Sequence, residues 1–564
     1  MRRFRWPAIG VLLLGMSVLV VLIALGVPIP GLTRPTRPPE PRPVDPGDQE
    51  IAWINTPTEL GTWDEFVTGV KRAEMRVPGL KVDVSAAFPD QTTAVPEIAL
   101  TRPPCPGRLL IRWYKTSAGA TVHDWVKALA GRSPAPLAVI GGWSSDRAVE
   151  LAAVLNRQTG WHGDPPQLLV TAATIGTLLE NPENPNDPEW SRRSRAERQF
   201  DRLYPDRTFR FCFTNSQMAD AVTDYLAHDP TLFPGRGGWP GFAAVGVGAA
   251  GPWPATSGLA DLAAIGPAVF TFQWEDDPFS EDLGFEYKNA IRTQFTPADD
   301  PLPGAPRLFD NSQEPPVNFT FKIPYSTGRF SRANPAELEA VREVFRNLPS
   351  YPERSVLVLP TGASGPARRV LLALSERVPQ AGRRFVAVTG DGLSVNTVFR
   401  DAEFAWPARS IPIPLIMFAH QNPFGWDEPG TPAPPEGYAL DRDSKTSTQD
   451  IRLYTEMAVI LADTVFPPTG PQPGMATRAN DLRERIKAHP LDLFDALGNR
   501  KDRSGDGEHV VVLRPTQRYG ADPAVPRPDA VVEVYRRSSG ENGWVRVTGV
   551  TVPPTASADG RTRE

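Results

Sequence analysis

Ser144 and Ser145 stand between an apolar run at 137–141 and a helical pattern at 146–158. Such a turn presents hydroxyls and the unpaired amides of a helix N-terminus, so it can hold an anion. The plainer alternative is that Ser145 only caps the helix. The turn Gly390, Asp391, Gly392 follows an apolar strand pattern at 384–388. Its carboxylate either pairs with a cation inside a cleft or belongs to an ordinary Asp-Gly turn. Asp276 and Asp277 are adjacent acids, but no His or second acidic cluster is placed to complete a metal site with them.

Motifs for catalysis fail on inspection. The Gly-Ala-Ser-Gly run at 362–365 continues into Pro366, so it is not a nucleophile elbow. There is no phosphate-binding P-loop and no dinucleotide fingerprint. His123, His162, His228, His420, His489 and His509 contain no pair at the i, i+4 spacing of a metal-binding helix. Cys105 and Cys212 are too few for a disulfide scaffold or a four-thiolate zinc site. They form one bridge in an oxidising compartment or remain two unpaired thiols. Asn318-Phe-Thr spells a glycosylation sequon, which matters only in a glycosylating host. The expectation is therefore no catalytic residue, no metal and no cofactor.

The bulk numbers narrow the class further. A net charge of −5 over 564 residues leaves no electrostatic footprint for nucleic acid. Hydrophobic residues at 40% and charged residues at 22% suit a globular chain. Arg2, Arg3 and Arg5 precede residues 8–27, an apolar run without a charge. As a helix that run spans roughly 30 Å, the thickness of a bilayer core. No small-residue cleavage site and no lipoprotein cysteine follow it, so an uncleaved anchor with Met1 inside is expected. Pro35, Pro38, Pro39, Pro41, Pro43 and Pro46 then favour an extended spacer.

The elements that must position these turns alternate in type. Strand patterns at 51–55, 80–86, 108–115, 137–141 and 167–171 alternate with helical patterns at 63–75, 122–130 and 146–158. The alternation resumes after a polar insert at 181–207 and continues through 209–213, 216–226, 268–274, 282–293, 318–323, 335–347, 355–359, 366–378 and 384–388. Then come a strand at 411–418, a long apolar helix at 448–465, and strands at 509–513 and 530–536. Strands alternating with helices imply a parallel sheet covered on both faces, and there are too many for one sheet.

The order of five stretches resembles the type I periplasmic binding proteins, in particular the Leu/Ile/Val (branched-chain amino-acid) receptor family. These are AVIGGWSSDRAVELAAVLNRQTG (138–160), FRFCFTNSQMADAVTDYL (209–226), FTFQWEDDPFSEDLGFEYKNAI (270–291), RRFVAVTGDGLSVNTVFRD (383–401) and FDALGNR (494–500). The resemblance implies an α/β fold of two doubly wound three-layer lobes joined by a three-crossing hinge. The chain would divide into a cytoplasmic N-terminus (1–7), a transmembrane helix (8–27) and a Pro-rich linker (28–49). Residues 50–214 with 410–505 would form one lobe and 215–409 with 506–552 the other, before a disordered tail (553–564). Crossings would fall near Thr214, Arg409 and Gly505.

Ligand would bind between the lobes, at the C-terminal ends of the strands. The resemblance places Ser144 and Ser145 on a ligand carboxylate and Asp391 on a ligand amino group. It adds Thr171, Ala173 and Thr174 after one strand, Phe279 in the acidic turn, and Thr361 after the strand at 355–359. Trp143 departs from the pattern, and its indole either fills the pocket or stacks on an aromatic ligand. The function implied is extracytoplasmic binding of an amino acid or similar small polar molecule. Its setting would be the bacterial inner membrane, with a transporter permease or a signalling partner. The rival is a structural or interaction protein that keeps the fold without a ligand and uses inserts at 181–207, 229–258 and 427–447.

Overall fold

The computed structural model describes residues 40–57, 60–142, 144–182, 184, 187–229, 231–232, 269–275, 277–295, 318–323, 335–346, 355–362, 364–377, 385–393, 413–420, 422–423, 449–467, 478–490, 493–501, 508–515, 530–538 and 543–552. The segment 8–27, Trp143, Asp276, the tail 553–564, all of 427–447 and nearly all of 229–258 lie outside the described residues. Among the described residues no helix is long and apolar enough to cross a membrane.

In chain order the first set is β1 (Gln49–Asn55), α1 (Leu60–Arg76), β2 (Lys81–Asp83), β3 (Glu97–Thr101), β4 (Leu109–Lys115), α2 (Val122–Ala130), β5 (Ala138–Gly141), α3 (Ser145–Arg157), β6 (Gln167–Val170) and β7 (Thr208–Arg210). The second is α4 (Asn215–His228), β8 (Val269–Trp274), α5 (Pro278–Phe295), β9 (Asn318–Ile323), α6 (Pro335–Arg346), β10 (Ser355–Val358), α7 (Ser364–Arg377), β11 (Phe385–Val388) and β12 (Leu415–Ala419). Then follow α8 (Gln449–Val465), α9 (Ala479–Lys487), β13 (His509–Pro515), β14 (Ala530–Arg537) and β15 (Trp544–Val552).

The strands form two sheets, ordered β2-β3-β4-β1-β5-β6-β7 and β15-β14-β13-β12-β11-β10-β8-β9. Strands β4, β1, β5, β6 and β7 run parallel, and so do β9, β8, β10, β11 and β12. Each sheet is extended by antiparallel strands at one edge. This is the two-lobed α/β arrangement expected from the alternation.

Side-chain periodicity shows why each sheet is covered twice. In β4, Trp113 packs on Trp63 of α1, while its neighbour Tyr114 packs on Trp125 of α2. Successive strand residues point to opposite faces, so α1 and α2 lie on opposite sides. In β10, Val356 and Val358 join the cluster of α4 and α5, while Leu357 joins the cluster of α6 and α7. Helix α1 buries Trp63, Phe66, Val67, Val70 and Ala73, the i, i+3, i+4 stripe of an amphipathic helix. Its partner across the first lobe is α8, through Phe66 against Tyr454.

Three boundaries need correction. Strand β12 is parallel to β11 and antiparallel to β13, so it belongs to the second sheet. All five of its residues are apolar and buried, and only a sheet interior pairs both their edges. The second crossing thus follows Ala419 rather than Arg409, and the strand leaves the 410–505 segment assigned to the first lobe. The linker is also not a free spacer up to residue 49. The carbonyls of Arg42 and Pro43 accept hydrogen bonds from the Arg112 guanidinium, which also pairs with the buried Glu50. Finally, the insert at 181–207 contains 3-10 turns at Trp190–Arg192, Arg195–Arg198 and Phe200–Leu203, with Trp190 and Phe200 in the first lobe's core.

Candidate functional site

Around β1 the sheet order reverses: the chain adds β4 on one side of β1 and β5 on the other. Open α/β sheets form a crevice at such a point, outside the strand C-termini. A cavity of about 250 Å³ lies there, lined by Asn55, Thr56, Thr116, Ser117, Gly142 and Arg147 among others. Asn55 is 2% exposed. Its Oδ1 accepts from the Thr56 amide at 2.7 Å, which fixes the amide orientation. Its Nδ2 is then left without a partner among the described residues. A buried donor without a partner is unusual and calls for an acceptor.

The α3 N-terminus opens beside this cavity. Gly142 has φ +77°, and a Cβ there would come within 2.6 Å of the Ala148 side chain, so only glycine makes this turn. Ser144 occupies the cap position, φ −143° and ψ 159°, yet makes no capping bond; its hydroxyl turns to Asp146. The first-turn amides of α3 therefore lack a side-chain cap from Ser144. Arg147 is paired with Glu150 at 2.7 Å, which holds its guanidinium pKa above the ordinary value. Ser145 is buried as the first helical residue.

The turn after β6 meets the first crossing. Thr171, Ala173 and Thr174 are all buried. The Ala173 carbonyl accepts from Arg210 and from the Cys212 thiol, and the Thr174 hydroxyl donates to Asn215 Oδ1 at 2.7 Å. Thr214 then caps α4 in a capping box with Gln217. Cys105 and Cys212 are unpaired. Burial pushes the Cys212 pKa up to about 11, and the nearby Asp391 carboxylate adds to the rise.

Three candidates of the second lobe come together. Gly392 packs so tightly on the backbone after β10 that a Cβ would lie 2.4 Å from the Thr361 carbonyl. That close approach explains the second glycine of the turn. The Phe279 ring lies against Gly362 and Gly390. Asp391, however, is not a free carboxylate awaiting an amine: its Oδ2 bonds to His420 Nε2 at 2.8 Å. His420 is buried, its Nδ1 has no partner among the described residues, and its ring stacks on Phe213.

The two lobes are joined directly. Asp282 of α5 accepts from the amides of Gly176 (2.7 Å) and Thr177 (3.1 Å) and from Asn215 Nδ2 (2.9 Å). Arg195 of the insert donates to the Thr177 hydroxyl at 3.2 Å and pairs with Glu286. Burial pushes Asp282 up to about 6. Burial, reinforced by the Asp282 charge, pushes Glu286 up to about 7.

The expected residues thus fall in three groups: Ser144 and Ser145 at α3; Thr171, Ala173 and Thr174 near the first crossing; and Phe279, Thr361 and Asp391 on the second lobe. Trp143 lies outside the described residues. Sequence reading missed Asn55, Asn215, Asp282 and His420. Asn55 ends β1, Asn215 opens α4, Asp282 lies early in α5 and His420 follows β12, and nothing in the local pattern marks them. Among the described residues no group of three His, Cys, Asp or Glu side chains could hold a metal ion.

No family model matches the chain, and no curated protein sequence matches it. Several solved structures are similar. One is an ABC transporter substrate-binding protein from Desulfitobacterium hafniense, with a TM-score of 0.43, 13% identity, and 84% of this chain and 98% of that chain covered. Another is an ABC transporter solute-binding protein from R. palustris in complex with benzoate, at 0.38, 10%, 90% and 98%. A third is an extracellular ligand-binding receptor from Desulfohalobium retbaense, at 0.36, 13%, 89% and 59%.

Proposed function

We propose that this chain is a membrane-anchored extracytoplasmic receptor for a small solute bearing a carboxylate, an amino acid or similar polar molecule. It would act in uptake or sensing, with a permease or signalling partner. One observation carries the reading: the strand ends of the two sheets converge on the first crossing. There Ala173 accepts from Cys212, and Asp391 bonds to His420, whose ring stacks on Phe213 next to Cys212. The unpartnered Asn55 amide, the α3 N-terminus and Arg147 favour an anionic group. The anchor rests on the charge-free run 8–27 behind three arginines. Binding rather than catalysis fits Cys212, whose raised pKa takes it away from a nucleophile's range.

The test is the thermal unfolding of the full chain, followed by its 14 tryptophans, against amino acids and small carboxylates. A ligand of the folded state raises the midpoint in proportion to the logarithm of its concentration. A carboxylate-bearing solute is expected to do so. A library without a single stabilising compound would overturn the receptor reading. The second reading, a two-lobed interaction protein without a solute, is favoured by the Asp282 contacts, which join the lobes through the protein's own carboxylate.

A further inference from the structure

The turn at 176–177 is an anion receptor that is already filled. Two successive backbone amides and one side-chain amide converge on a single carboxylate, the arrangement by which proteins hold anions. The third donor is itself oriented: Asn215 Oδ1 accepts from Thr174, so Nδ2 must face Asp282. The donors belong to the first lobe and the first crossing, while the acceptor belongs to the second lobe. Asp282 and Asn215 are both 0% exposed, so water does not compete for these bonds.

We propose that Gly176, Thr177 and Asn215 form a carboxylate-binding site whose resident is the tethered carboxylate of Asp282, a latch that holds the lobes together. The inference uses the two-lobed fold but needs no solute. A solute carboxylate reaching this turn must displace Asp282, so the latch competes with any such ligand and sets how readily the lobes part. Arg195 and Glu286 flank it as a second contact between lobes. The charged groups around the latch are Arg195 from the insert, Glu286 on α5, and Asp220 on α4, which lies near enough to Glu286 to feel its charge.

The test uses the full chain with Asp282→Gly, which vacates the receptor. The variant is expected to unfold several degrees below wild type. Formate at about 100 mM is then expected to raise its midpoint by about 3 °C over chloride at equal ionic strength, while wild type does not respond. Adding Asn215→Leu to the variant is expected to abolish the rescue. Formate acting no better than chloride on Asp282→Gly, or equally on wild type, overturns the proposal. If Asp282→Gly does not fold, Asp282→Asn keeps the volume but turns an N–H toward the amides. Its lobes are expected to separate more in solution scattering, and unchanged dimensions would count against the latch. Formate rescue without any hit in the solute screen keeps the latch and removes the receptor reading; the reverse result does the opposite.

Discussion

Phe213 lies face to face with His420, ring centroids 5.5 Å apart and planes within 16°. The Arg500 guanidinium lies 4.5 Å from the centroid of the same Phe213 ring. Phe213 belongs to the first crossing, His420 follows β12 at the second, and Arg500 precedes the third. One side chain from each crossing therefore meets in a single contact. Any hinge motion must slide or break it.

Truncation at the centre of that contact should be severe. Phe213 is 0% exposed, and Phe213→Ala removes a buried ring, costing about 3–5 kcal/mol. Phe213→Leu keeps most of the volume and should cost much less, while still losing the stack. Urea unfolding measures both. Equal losses for the two substitutions would show that the stack, not the volume of the ring, carries its contribution.

Asp391 and His420 make a second prediction. If Asp391 reads a ligand amine, His420 competes with that amine for the carboxylate. His420→Gln weakens the competing partner, so affinity for an amino acid should rise relative to its deaminated analogue. Asp391→Ala should lose that preference, and should destabilise the empty protein by about 1–3 kcal/mol because a buried His nitrogen loses its partner. Calorimetric titration of both variants with the solute pair settles it; an unchanged preference in both sinks the amine contact.

Asn55 separates binding from stability. Its Nδ2 has no partner to lose among the described residues, so Asn55→Leu should cost only the bond that Oδ1 accepts from the Thr56 amide, about 1–2 kcal/mol by urea unfolding. Asn55→Asp replaces a donor with an acceptor and should weaken a carboxylate ligand about tenfold or more. Unchanged affinity in Asn55→Asp would remove the cavity from the binding site.

These features differ in how legible they are from sequence. Alternation of apolar runs found the interior strands, because β5, β6, β10 and β11 are buried throughout and have no competing explanation. It overlooked β3, whose Glu97–Thr101 alternates between partly buried and buried positions in five residues after Pro96. It also overlooked β15, an edge strand whose Val545 is 48% exposed. The serine turn and the Gly-Asp-Gly turn were visible because glycine and serine have local reasons to sit there. Asp282 was not, because it lies in a helix among ordinary acids and its partners are 67 and 105 to 106 positions away. Likewise nothing near Asp391 announces His420, 29 positions on. Contacts made by folding carry no local signature.

Acid should favour the folded state over a window set by the seam, because burial there outweighs the three N–H donors that hold the Asp282 carboxylate. Asp282 is raised from 3.8 to about 6 and Glu286 from 4.5 to about 7, both chiefly by burial. Between the ordinary and the raised values the folded chain holds protons that the unfolded chain releases. Stability from these two groups is therefore greatest at low pH and is lost as pH rises through about 6 to 7. Carboxylates lowered by arginine pairing or hydrogen bonds, such as Asp164 with Arg478, act oppositely, but their contribution disappears only below the ordinary carboxylate range. The urea midpoint of the full chain should accordingly fall between about pH 5 and about pH 7.5. The double variant Asp282→Asn, Glu286→Gln cannot release those protons and should reduce the slope, leaving the share of Asp220, which burial also raises to about 6. A wild-type midpoint that rises across this window, or a double variant with the wild-type slope, would place the titrating groups elsewhere in the molecule.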